Sequence, residues 1–404
     1  MKKIIFAFLT VVVAMGIMSG CGRVSDPGAE GSGESETVTN DRGTLDFELS
    51  DNLTLEFDPA EKTAPEKAYT AYASRYIYDY SVFKSVFGLE NENITVKEEE
   101  FNPAFDHYFG EDDTFSYAFN IGYSGQDRIQ NGLMTYGRSC RDINTDMALA
   151  SASGALGGLP DWQRGIEPYK GEKALEGLDL LSAKAKFDGY ISSIELGDNT
   201  SVSIENVFSI SKEDMVEYLV SPLNRNRLSD PATGEYLTET PSEYVDALSN
   251  GYYFTWRQYI NDIPISTYDW GARFAGSKQR LAGQKIAGYI TSDGEEDLTI
   301  DRVYCNVRLG ECREIVPFSV ALKKVNDIVS LSMTDTKYSI FGAELCYCGY
   351  YTDTYEVYFH PMWVIVVDEY SEDSQLWNTF SKNIYAIDAF TGEIIQNTDI
   401  PVLE

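Results

Sequence analysis

The first 20 residues decide which part of this chain can fold in water. Two lysines precede an apolar run over residues 4–15 that only Thr10 interrupts. A positively charged start followed by a run of this length is the layout of a secretory signal peptide. The apolar stretch also falls short of the roughly 20 residues that span a bilayer. We therefore predict a cleaved signal over residues 1–20, with a retained membrane anchor as the alternative.

The signal ends in Met18-Ser19-Gly20-Cys21. This motif resembles the lipobox of bacterial lipoproteins, in which small residues precede a cysteine that is acylated and becomes the new N-terminus, although leucine is more usual at the position of Met18. The resemblance implies a lipid on Cys21 that holds the mature chain at the extracytoplasmic face of the cell membrane. The segment that follows is rich in Gly, Ser, Glu and Asp. Because it has few large apolar side chains, we expect a flexible tether over residues 21–44.

The chain is strongly acidic, with 64 acidic and 32 basic residues and a formal net charge of −32. Nucleic acid and anionic lipid headgroups are poor partners for such a chain, so membrane attachment would depend on the lipid. An aromatic content of 13% and a hydrophobic content of 43% exclude a disordered chain. The length allows two globular units. We predict an N-terminal α+β domain over residues 45–200 and a C-terminal α+β domain over residues 201–404.

Aromatic side chains recur every three or four residues over residues 65–87. This spacing places them on one face of a helix, and Gly88 is a suitable helix end. We predict that this aromatic face lies in the core, with stacking on a sugar or a peptide as the alternative. Further along, apolar residues alternate with small and polar ones over residues 115–121, which predicts a strand with one buried side.

A helix followed by a hairpin is predicted in the middle of the chain. Residues 240–243, Thr-Pro-Ser-Glu, combine a capping residue, a proline at the first helical position and a glutamate three residues after the cap. They predict a short helix that runs to Ser249. An aromatic strand over residues 252–259, a turn at Asn261-Asp262 and a partner strand over residues 263–268 follow.

The same order recurs toward the C-terminus. The apolar pattern of residues 318–330 predicts a helix. Asp388, Thr391 and Gly392 suit a tight turn, because the first two can bond turn amides and glycine accepts a positive φ. Three strand candidates follow the helix, over residues 343–350, 355–367 and 383–395.

Three stretches of the C-terminal half carry a family resemblance. Residues 385–395, Tyr-Ala-Ile-Asp-Ala-Phe-Thr-Gly-Glu-Ile-Ile, resemble the terminal hairpin of PepSY domains. Residues 360–364, His-Pro-Met-Trp-Val, resemble the proline-tryptophan strand of related extracytoplasmic proteins, including the YycH and YycI regulators of a sensor kinase. Residues 254–265 resemble the aromatic strand, turn and Ile-Pro-Ile strand of these proteins, with Asp262 where glycine is usual.

The whole chain is also similar to uncharacterised lipoproteins of clostridia-like bacteria. These resemblances imply an α+β fold of helices packed on antiparallel sheets, with a PepSY- or cystatin-like C-terminal domain. They further imply non-catalytic inhibition, regulation or binding outside the cytoplasm. On this reading, exposed faces of the hairpin and of the proline-tryptophan strand would present Trp256, Tyr268 and Trp363 to a protein partner.

Five cysteines follow Cys21, in a compartment where disulfides can form. Cys305 and Cys312 flank a Leu-Gly pair that suggests a short hairpin, so the two thiols could be bridged across it or could both stay free. Cys346 and Cys348 lie two apart in a predicted strand and therefore share one face. A bond between them would be strained, and we expect two ordinary apolar-like cysteines there.

The sequence offers little for catalysis or metal binding. His107 precedes Glu111 and Asp113, but the His-Glu-x-x-His pattern is missing, so a solvated acidic loop is favoured over a zinc site. His360 lies in an apolar strand and reads as structural. Ser124 misses the spacing of the Gly-x-Ser-x-Gly nucleophile motif.

Metal and cofactor motifs are equally weak. The acidic run over residues 293–297 lacks the alternating ligands of an EF-hand loop, so we expect a solvated turn. The cysteines lack the paired spacing of structural zinc sites, and neither a P-loop nor a dinucleotide motif is present. We predict no cofactor, no metal and no catalytic residue.

The favoured function is a membrane-tethered, extracytoplasmic and non-enzymatic protein that binds or regulates another protein. The first alternative is a lipoprotein that captures a glycan or a peptide, for which a deep aromatic-lined cleft between the two domains is the expected feature and a filled interface would count against it. The second alternative is a cell-surface hydrolase, which requires paired carboxylates in one pocket.

Overall fold

The computed structural model of this protein describes part of the unit that spans residues 42–404. The predicted signal, Cys21 and the tether lie outside the described residues. The described residues are 45–90, 97–99, 105–124, 129–140, 167–221, 228–230, 233–268, 283–331, 336–352, 356–371, 376–377 and 383–395.

The described part of the chain is mostly β, with 49% of it in strands and 20% in helices. Two large sheets carry the architecture, and the predicted α+β class of helices packed on antiparallel sheets is wrong. No helix in the described residues is long and apolar enough to cross a membrane. The helices are α1 (Tyr80–Val86), α2 (Leu180–Ser192), α3 (Lys212–Val220), α4 (Ser242–Ala247) and α5 (Phe318–Ser330), with short 3-10 turns at Pro59–Glu61 and Glu167–Tyr169.

The first sheet has seven strands within the described residues. The strands Leu53–Leu55 and Lys337–Tyr351 pair in parallel, and the other pairings are antiparallel. In spatial order its path is β1 (Leu53–Leu55), β13 (Lys337–Tyr351), β14 (Glu356–Ser371), β2 (Lys67–Arg75) and β12 (Tyr304–Glu314), and β15 (Leu376–Trp377) and β16 (Asn383–Asp388) also pair with β14.

Helix α5 covers one face of this seven-stranded sheet, and its bounds match the predicted 318–330. Its buried side chains recur at helical spacing, from Phe318 through Leu322 and Val325 to Val329. They pack in one core cluster with Trp363 of β14. An amphipathic pattern of this kind is decided by local sequence, which explains why the prediction is confirmed.

The second sheet has nine strands within the described residues, and all their pairings are antiparallel. Its path is β3 (Lys97–Glu99), β4 (Phe105–Glu111), β5 (Phe115–Ser124), β6 (Ile129–Cys140), β11 (Glu296–Asp301), β10 (Lys285–Thr291), β8 (Gly251–Ile260) and β7 (Thr200–Ile210), and β9 (Ile263–Pro264) pairs with β8.

Both faces of the nine-stranded sheet are covered near β8. Phe187 of α2 packs with Phe254 and Trp256 in one cluster, and Tyr218 of α3 packs with Tyr253 in another. Strand β8 is therefore buried along almost its whole length. The predicted strand over residues 252–259 is confirmed, and its aromatic side chains serve two cores at once.

Side-chain and backbone bonds join the two sheets. Gln258 of β8 is wholly buried, and its Oε1 accepts from the amide of Tyr304 on β12 at 3.0 Å. Arg257 reaches Glu344 of β13. Both sheets also take strands from the two sides of residue 200, so the boundary that we predicted there does not coincide with a division between sheets.

The predicted helix over residues 65–87 is wrong over its first half. Residues 67–75 form strand β2, and helix α1 begins only at Tyr80, after Asp79 accepts the amide of Ser81 at 2.8 Å. The aromatic spacing coexists with small buried residues, among them Ala71 and Ala73. Pairing of β2 with β12 and β14 overrides the local helical pattern.

Three further local predictions have clear outcomes. The predicted helix from Pro241 to Ser249 is present as the shorter α4, and no side chain caps it, because its N-cap is Pro241 and not Thr240, whose Oγ1 donates to the carbonyl of Val216. The turn at Asn261-Asp262 is confirmed, with φ of 45° and 67°. The turn after β16 is also confirmed, with Gly392 at φ 74° and Asp388 accepting from the amide of Phe390 at 2.7 Å.

Candidate functional site

A pocket of about 400 Å³ opens between α1, α2 and one face of the nine-stranded sheet. Four aromatic rings and three charged side chains contribute to its lining. We call this site the aromatic-cation pocket. Its lining residues are Val86, Phe87, Gly88, Tyr117, Tyr136, Arg138, Lys186, Tyr190 and Glu296.

Three adjacent strands of the sheet contribute one row of side chains to the pocket lining. Arg138 of β6 lies opposite Tyr117 of β5 on one side and opposite Glu296 of β11 on the other. Directly opposed positions on antiparallel strands hold their side chains on the same face and within contact distance. Tyr136 lies two residues before Arg138 on β6 and therefore points to the same face.

Helices α1 and α2 supply the other walls. Asp179 begins α2 by accepting the amide of Ser182 at 2.8 Å, and the helix then places Lys186 and Tyr190 one turn apart. The ring of Phe187, between them, packs so closely on β10 that a Cβ on Gly288 would lie 2.7 Å from it. This close approach brings α2 down onto the sheet and sets the depth of the pocket.

Glu296 is the buried centre of the charged groups. Its side chain has no exposed surface, and its carboxylate accepts from three donors. Arg138 Nη1 donates to Oε1 at 2.8 Å, Lys186 Nζ donates to the same oxygen, and Tyr190 Oη donates to Oε2 at 2.9 Å. A buried carboxylate is stabilised by donors of this number and charge.

The two cations keep spare hydrogen-bonding capacity. The side chains of Arg138 and Lys186 are 25% and 36% exposed. Arg138 Nε is buried and has no hydrogen-bond partner in the described part of the chain. The Arg138 guanidinium also lies over the ring of Phe115, with Cζ 3.8 Å from the ring centroid, which fixes its plane. An arginine has five N–H donors and a lysine three, so Glu296 does not use them all.

The aromatic wall is rigid. The rings of Phe87 and Tyr136 stack in parallel, with centroids 4.0 Å apart and an interplanar angle of 2°. Tyr190 meets the ring of Phe87 edge-on at 4.9 Å. Gly88, at φ 68°, ends α1 at the rim, as its predicted role as a helix stop requires.

The tyrosines of the pocket remain protonated at neutral pH. Burial raises the pKa of Tyr136 and Tyr190, and the nearby Glu296 carboxylate raises both further. Burial and a hydrogen bond to Asp112 raise the pKa of Tyr117 to about 12. Burial alone would lower the pKa of Arg138, but Glu296 raises it above its ordinary value. The pocket therefore presents fixed cations and neutral phenols to whatever enters it.

Sequence reasoning missed this site. The acidic run over residues 293–297 was expected to be a solvated turn, but Glu295 and Glu296 are 2% and 0% exposed. Gly294, at φ 84°, makes the turn, and Glu296 already begins β11. The one local signal for the pocket in the sequence was on α2, where Lys186 shares a helical face with the buried Ala183 and Tyr190.

The predicted partner contacts are wrong, because all three side chains are in the core. Trp256, Tyr268 and Trp363 are 2%, 6% and 1% exposed. Trp256 Nε1 lies 3.2 Å from Asp188 Oδ1, and Trp363 Nε1 donates to the carbonyl of Val316 at 3.0 Å. Their indole N–H groups are thus satisfied within the fold, as buried tryptophan requires.

The predicted hairpin that would bring Cys305 and Cys312 together for a disulfide is also wrong. Both lie on the single strand β12, opposite Ser74 and Tyr69 of β2, and both are free thiols. A strand rises about 3.3 Å per residue, and seven residues exceed the Cα separation of about 7 Å that a disulfide tolerates.

The other two cysteines confirm the prediction for a shared strand face. Cys346 and Cys348 are buried in one cluster on β13 as free thiols. Burial raises the pKa of Cys346 well above its ordinary value.

Neither histidine is among the lining residues of the aromatic-cation pocket. His107 is on β4, where its Nδ1 lies 2.6 Å from Asn120 Oδ1. Within the described residues, no three His, Cys, Asp or Glu side chains are grouped to hold a metal ion. His360 is buried between Tyr358 and Asp388, with its Nε2 3.2 Å from Asp388 Oδ1, which agrees with a structural histidine.

The comparisons with known proteins give information about the fold alone. No protein-family model matches the chain, and no curated protein matches it. Among solved structures, the chain is similar to an uncharacterized protein from Eubacterium rectale, at 14% sequence identity and a TM-score of 0.56. The match covers 86% of this chain and 91% of that one. The likeness therefore shows a shared fold.

Proposed function

We propose that this protein is a membrane-tethered, extracytoplasmic binding protein that captures a small ligand in the aromatic-cation pocket. The observation that carries the proposal is the pocket itself. It combines stacked rings with a few fixed polar groups, which is the usual composition of a small-molecule site. Its volume of about 400 Å³ lies within the range of such sites.

Capture of a ligand now has more support than docking of a protein partner. The partner hypothesis rested on the lipobox, the PepSY-like stretches and the lack of a catalytic constellation, and the three aromatic residues named as its contacts are buried. The ligand hypothesis called for a deep aromatic-lined cleft between the two predicted domains, and the pocket, whose lining includes Phe87, Tyr136 and Tyr190, lies instead on one face of the nine-stranded sheet. A protein partner stays a prediction without a defined contact surface.

Binding without turnover is the simplest use of these groups. Glu296 is the one carboxylate among the lining residues that the structure describes, and three donors engage it. The tyrosines hold their protons because burial raises their pKa. A hydrolase of the kind considered above uses two carboxylates with opposed environments, which these lining residues do not supply.

The location of the proposed activity follows from the lipobox resemblance at Cys21. A lipid there, followed by a polar tether, would hold the body outside the cytoplasm while leaving the pocket in solution. With a formal net charge of −32, the chain gains nothing from anionic headgroups. We therefore assign ligand capture to the cell surface.

A ligand screen with a blocked pocket tests the proposal. The full chain in phospholipid nanodiscs is screened by thermal shift against oligosaccharides, short peptides and small organic acids. Val86→Trp fills the pocket from its rim, and Val82→Trp, on the exposed side of the same helix, is the matched control. We expect at least one compound class to raise the Tm of the wild type and of Val82→Trp but not of Val86→Trp. If no class does so, or if Val86→Trp binds equally well, the proposal is wrong.

A further inference from the structure

We propose that the ligand of the aromatic-cation pocket is a small organic carboxylate, and that Glu296 sets its charge. This inference rests on the proposed function and names the ligand class of the same site. Arg138 and Lys186 hold the carboxylate, and Phe87, Tyr136 and Tyr190 contribute only small exposed parts of their rings to the lining.

The charge of the pocket points to a monoanion. Arg138 and Lys186 bring two positive charges to the lining, and Glu296 brings one negative charge. The lining residues themselves therefore carry one net positive charge in a chain whose net charge is −32, and Asp112, which accepts from Tyr117 Oη at 2.7 Å, also interacts with Arg138. A positive site in an acidic protein favours an anion locally, and one carboxylate neutralises it.

The geometry makes the cations available to a ligand. Glu296 lies beneath them with no exposed surface, so a ligand meets the Arg138 and Lys186 side chains first. Phe115 and Glu296 hold the guanidinium from two sides, which orients it before binding. A fixed, planar guanidinium suits the two oxygens of a carboxylate.

The aromatic residues offer a ligand little surface of their own. Phe87 and Tyr136 stack on each other and Tyr190 stands edge-on to Phe87, and the three residues are only 7%, 2% and 7% exposed. Rings packed in this way fix the wall beside the two cations, which are the exposed groups of the pocket. At the rim, a Cβ on Gly88 would meet no heavy atom within 4 Å, so the opening beside the stack is not obstructed there.

The negative charge of Glu296 should determine which anion the pocket prefers. By cancelling one of two cations, it suits the pocket to a carboxylate and makes a doubly charged phosphate monoester less well matched. Glu296→Gln keeps one accepting oxygen at the same place, replaces the other by an amide donor and removes the negative charge. This variant should shift the preference of the pocket from carboxylate toward phosphate monoester.

The experiment measures affinity by ligand-observed NMR with the full chain in nanodiscs, with empty nanodiscs as the blank. The probes are phenylacetate, 3-phenylpropanoate and indole-3-acetate, each beside its amide, together with phenyl phosphate. We expect at least one carboxylate to bind about tenfold or more tightly than its amide, since charge-assisted bonds are lost in the amide. Arg138→Gln and Lys186→Gln should each remove most of that preference.

The outcomes separate the two proposals. If the amides bind as tightly as the carboxylates, and Val86→Trp abolishes both, the carboxylate assignment is overturned while ligand capture in the pocket stands. If none of the three carboxylates binds, the assignment is overturned, and the wider screen decides the proposed function. If Glu296→Gln leaves the ratio of phenyl phosphate to phenylacetate affinity unchanged, the role of Glu296 is overturned, whereas a rise of about tenfold supports it.

Discussion

Arg138 and Glu296 lie directly opposite each other on β6 and β11, and Arg138 Nη1 donates to Glu296 Oε1 at 2.8 Å. Their positions are 158 residues apart in the chain. The pair therefore links the floor of the pocket to the pairing of two central strands. A change at Glu296 should alter both stability and ligand binding.

Removal of the Glu296 carboxylate is expected to destabilise the fold. Glu296→Ala leaves Arg138 and Lys186 without their buried partner. Breaking a fully buried pair costs about 3–5 kcal/mol, and we expect about 2–3 kcal/mol here because both cations are partly exposed. Glu296→Gln should cost less, since its amide can still accept from Arg138. Urea unfolding measures the difference, and equal midpoints for Glu296→Ala and the wild type would contradict this account.

The close contact between Gly288 and Phe187 should control the position of α2. A Cβ at Gly288 would lie 2.7 Å from the Phe187 ring, so Gly288→Ala overpacks the interface and should cost about 1–3 kcal/mol. It should also weaken ligand binding, because Lys186 and Tyr190 flank Phe187 on the same helix. Thermal unfolding and the NMR titration measure the two effects.

A control and a rescue are available on the same helix. Gly189→Ala places a methyl group where no heavy atom lies within 4 Å, so it should stabilise α2 slightly. Phe187→Leu combined with Gly288→Ala should recover part of the lost stability. If Gly189→Ala and Gly288→Ala behave alike, the contact with Phe187 does not position the helix.

Arg257 should stabilise the joint between the sheets. Its side chain is 5% exposed, and it donates to Glu205 at 2.8 Å and to Glu344 at 2.7 Å. Burial alone would lower the pKa of Arg257, but the carboxylates of Glu344 and Glu205 hold it well above its ordinary value. Arg257→Met leaves two carboxylates facing each other and should cost about 3 kcal/mol or more.

Two companion variants separate charge from shape at this joint. Arg257→Lys keeps the charge but cannot form the two-pronged contact with Glu344, so its stability should fall between the wild type and Arg257→Met. Adding Glu205→Gln and Glu344→Gln to Arg257→Met should restore part of the loss. Chemical unfolding of the four proteins tests the order, and no gain from the added glutamines would show that charge is not the cause.

The pH dependence of stability should depend in part on Asp388. Burial alone would raise the pKa of Asp388, but the contact with His360 and the amides of Phe390 and Thr391 lower it below its ordinary value. A lowered pKa in the folded state stabilises the fold above the unfolded pKa of about 3.9, and this contribution is lost as the pH falls through the folded value.

Asp388→Asn isolates this effect, because its Oδ1 can still accept the turn amides. The difference in unfolding free energy between wild type and Asp388→Asn should be largest above pH 5 and should shrink below pH 4. Urea unfolding at pH 7 and pH 3 measures it. A difference that is equal at both values, or larger at pH 3, would refute the assigned role of the carboxylate.

Local patterns predicted the elements that local forces decide. The apolar spacing of residues 318–330 gave α5 with its observed bounds, and the aromatic run that contains Phe254 and Trp256 gave β8. Such patterns do not show what each face of a strand or helix contacts. Trp256 and Trp363 are aromatic residues on strands that seemed free to present a surface, yet α2 covers the first and α5 packs in one cluster with the second.

Non-local pairing explains the remaining errors. Residues 67–75 carry a helical aromatic spacing, but partners from β12 and β14, more than 200 positions away, make them a strand. The pocket depends on pairing in the same way, because the row of Tyr117, Arg138 and Glu296 exists only once three strands are in register. A single sequence contains no local signal for that register, so an acidic run reads as a solvated turn.

The lipid anchor is tested by replacing the predicted acylation site. Cys21→Ser removes the thiol that would carry the lipid, while the signal still directs export. Since the chain has a formal net charge of −32, headgroup attraction should not retain it, and the variant should appear in the soluble extracytoplasmic fraction. Fractionation after a high-salt wash measures this, with Cys312→Ser as the matched control, because its thiol is exposed on β12 and should not affect attachment. A Cys21→Ser protein that stays with the membrane would instead indicate an uncleaved signal anchor.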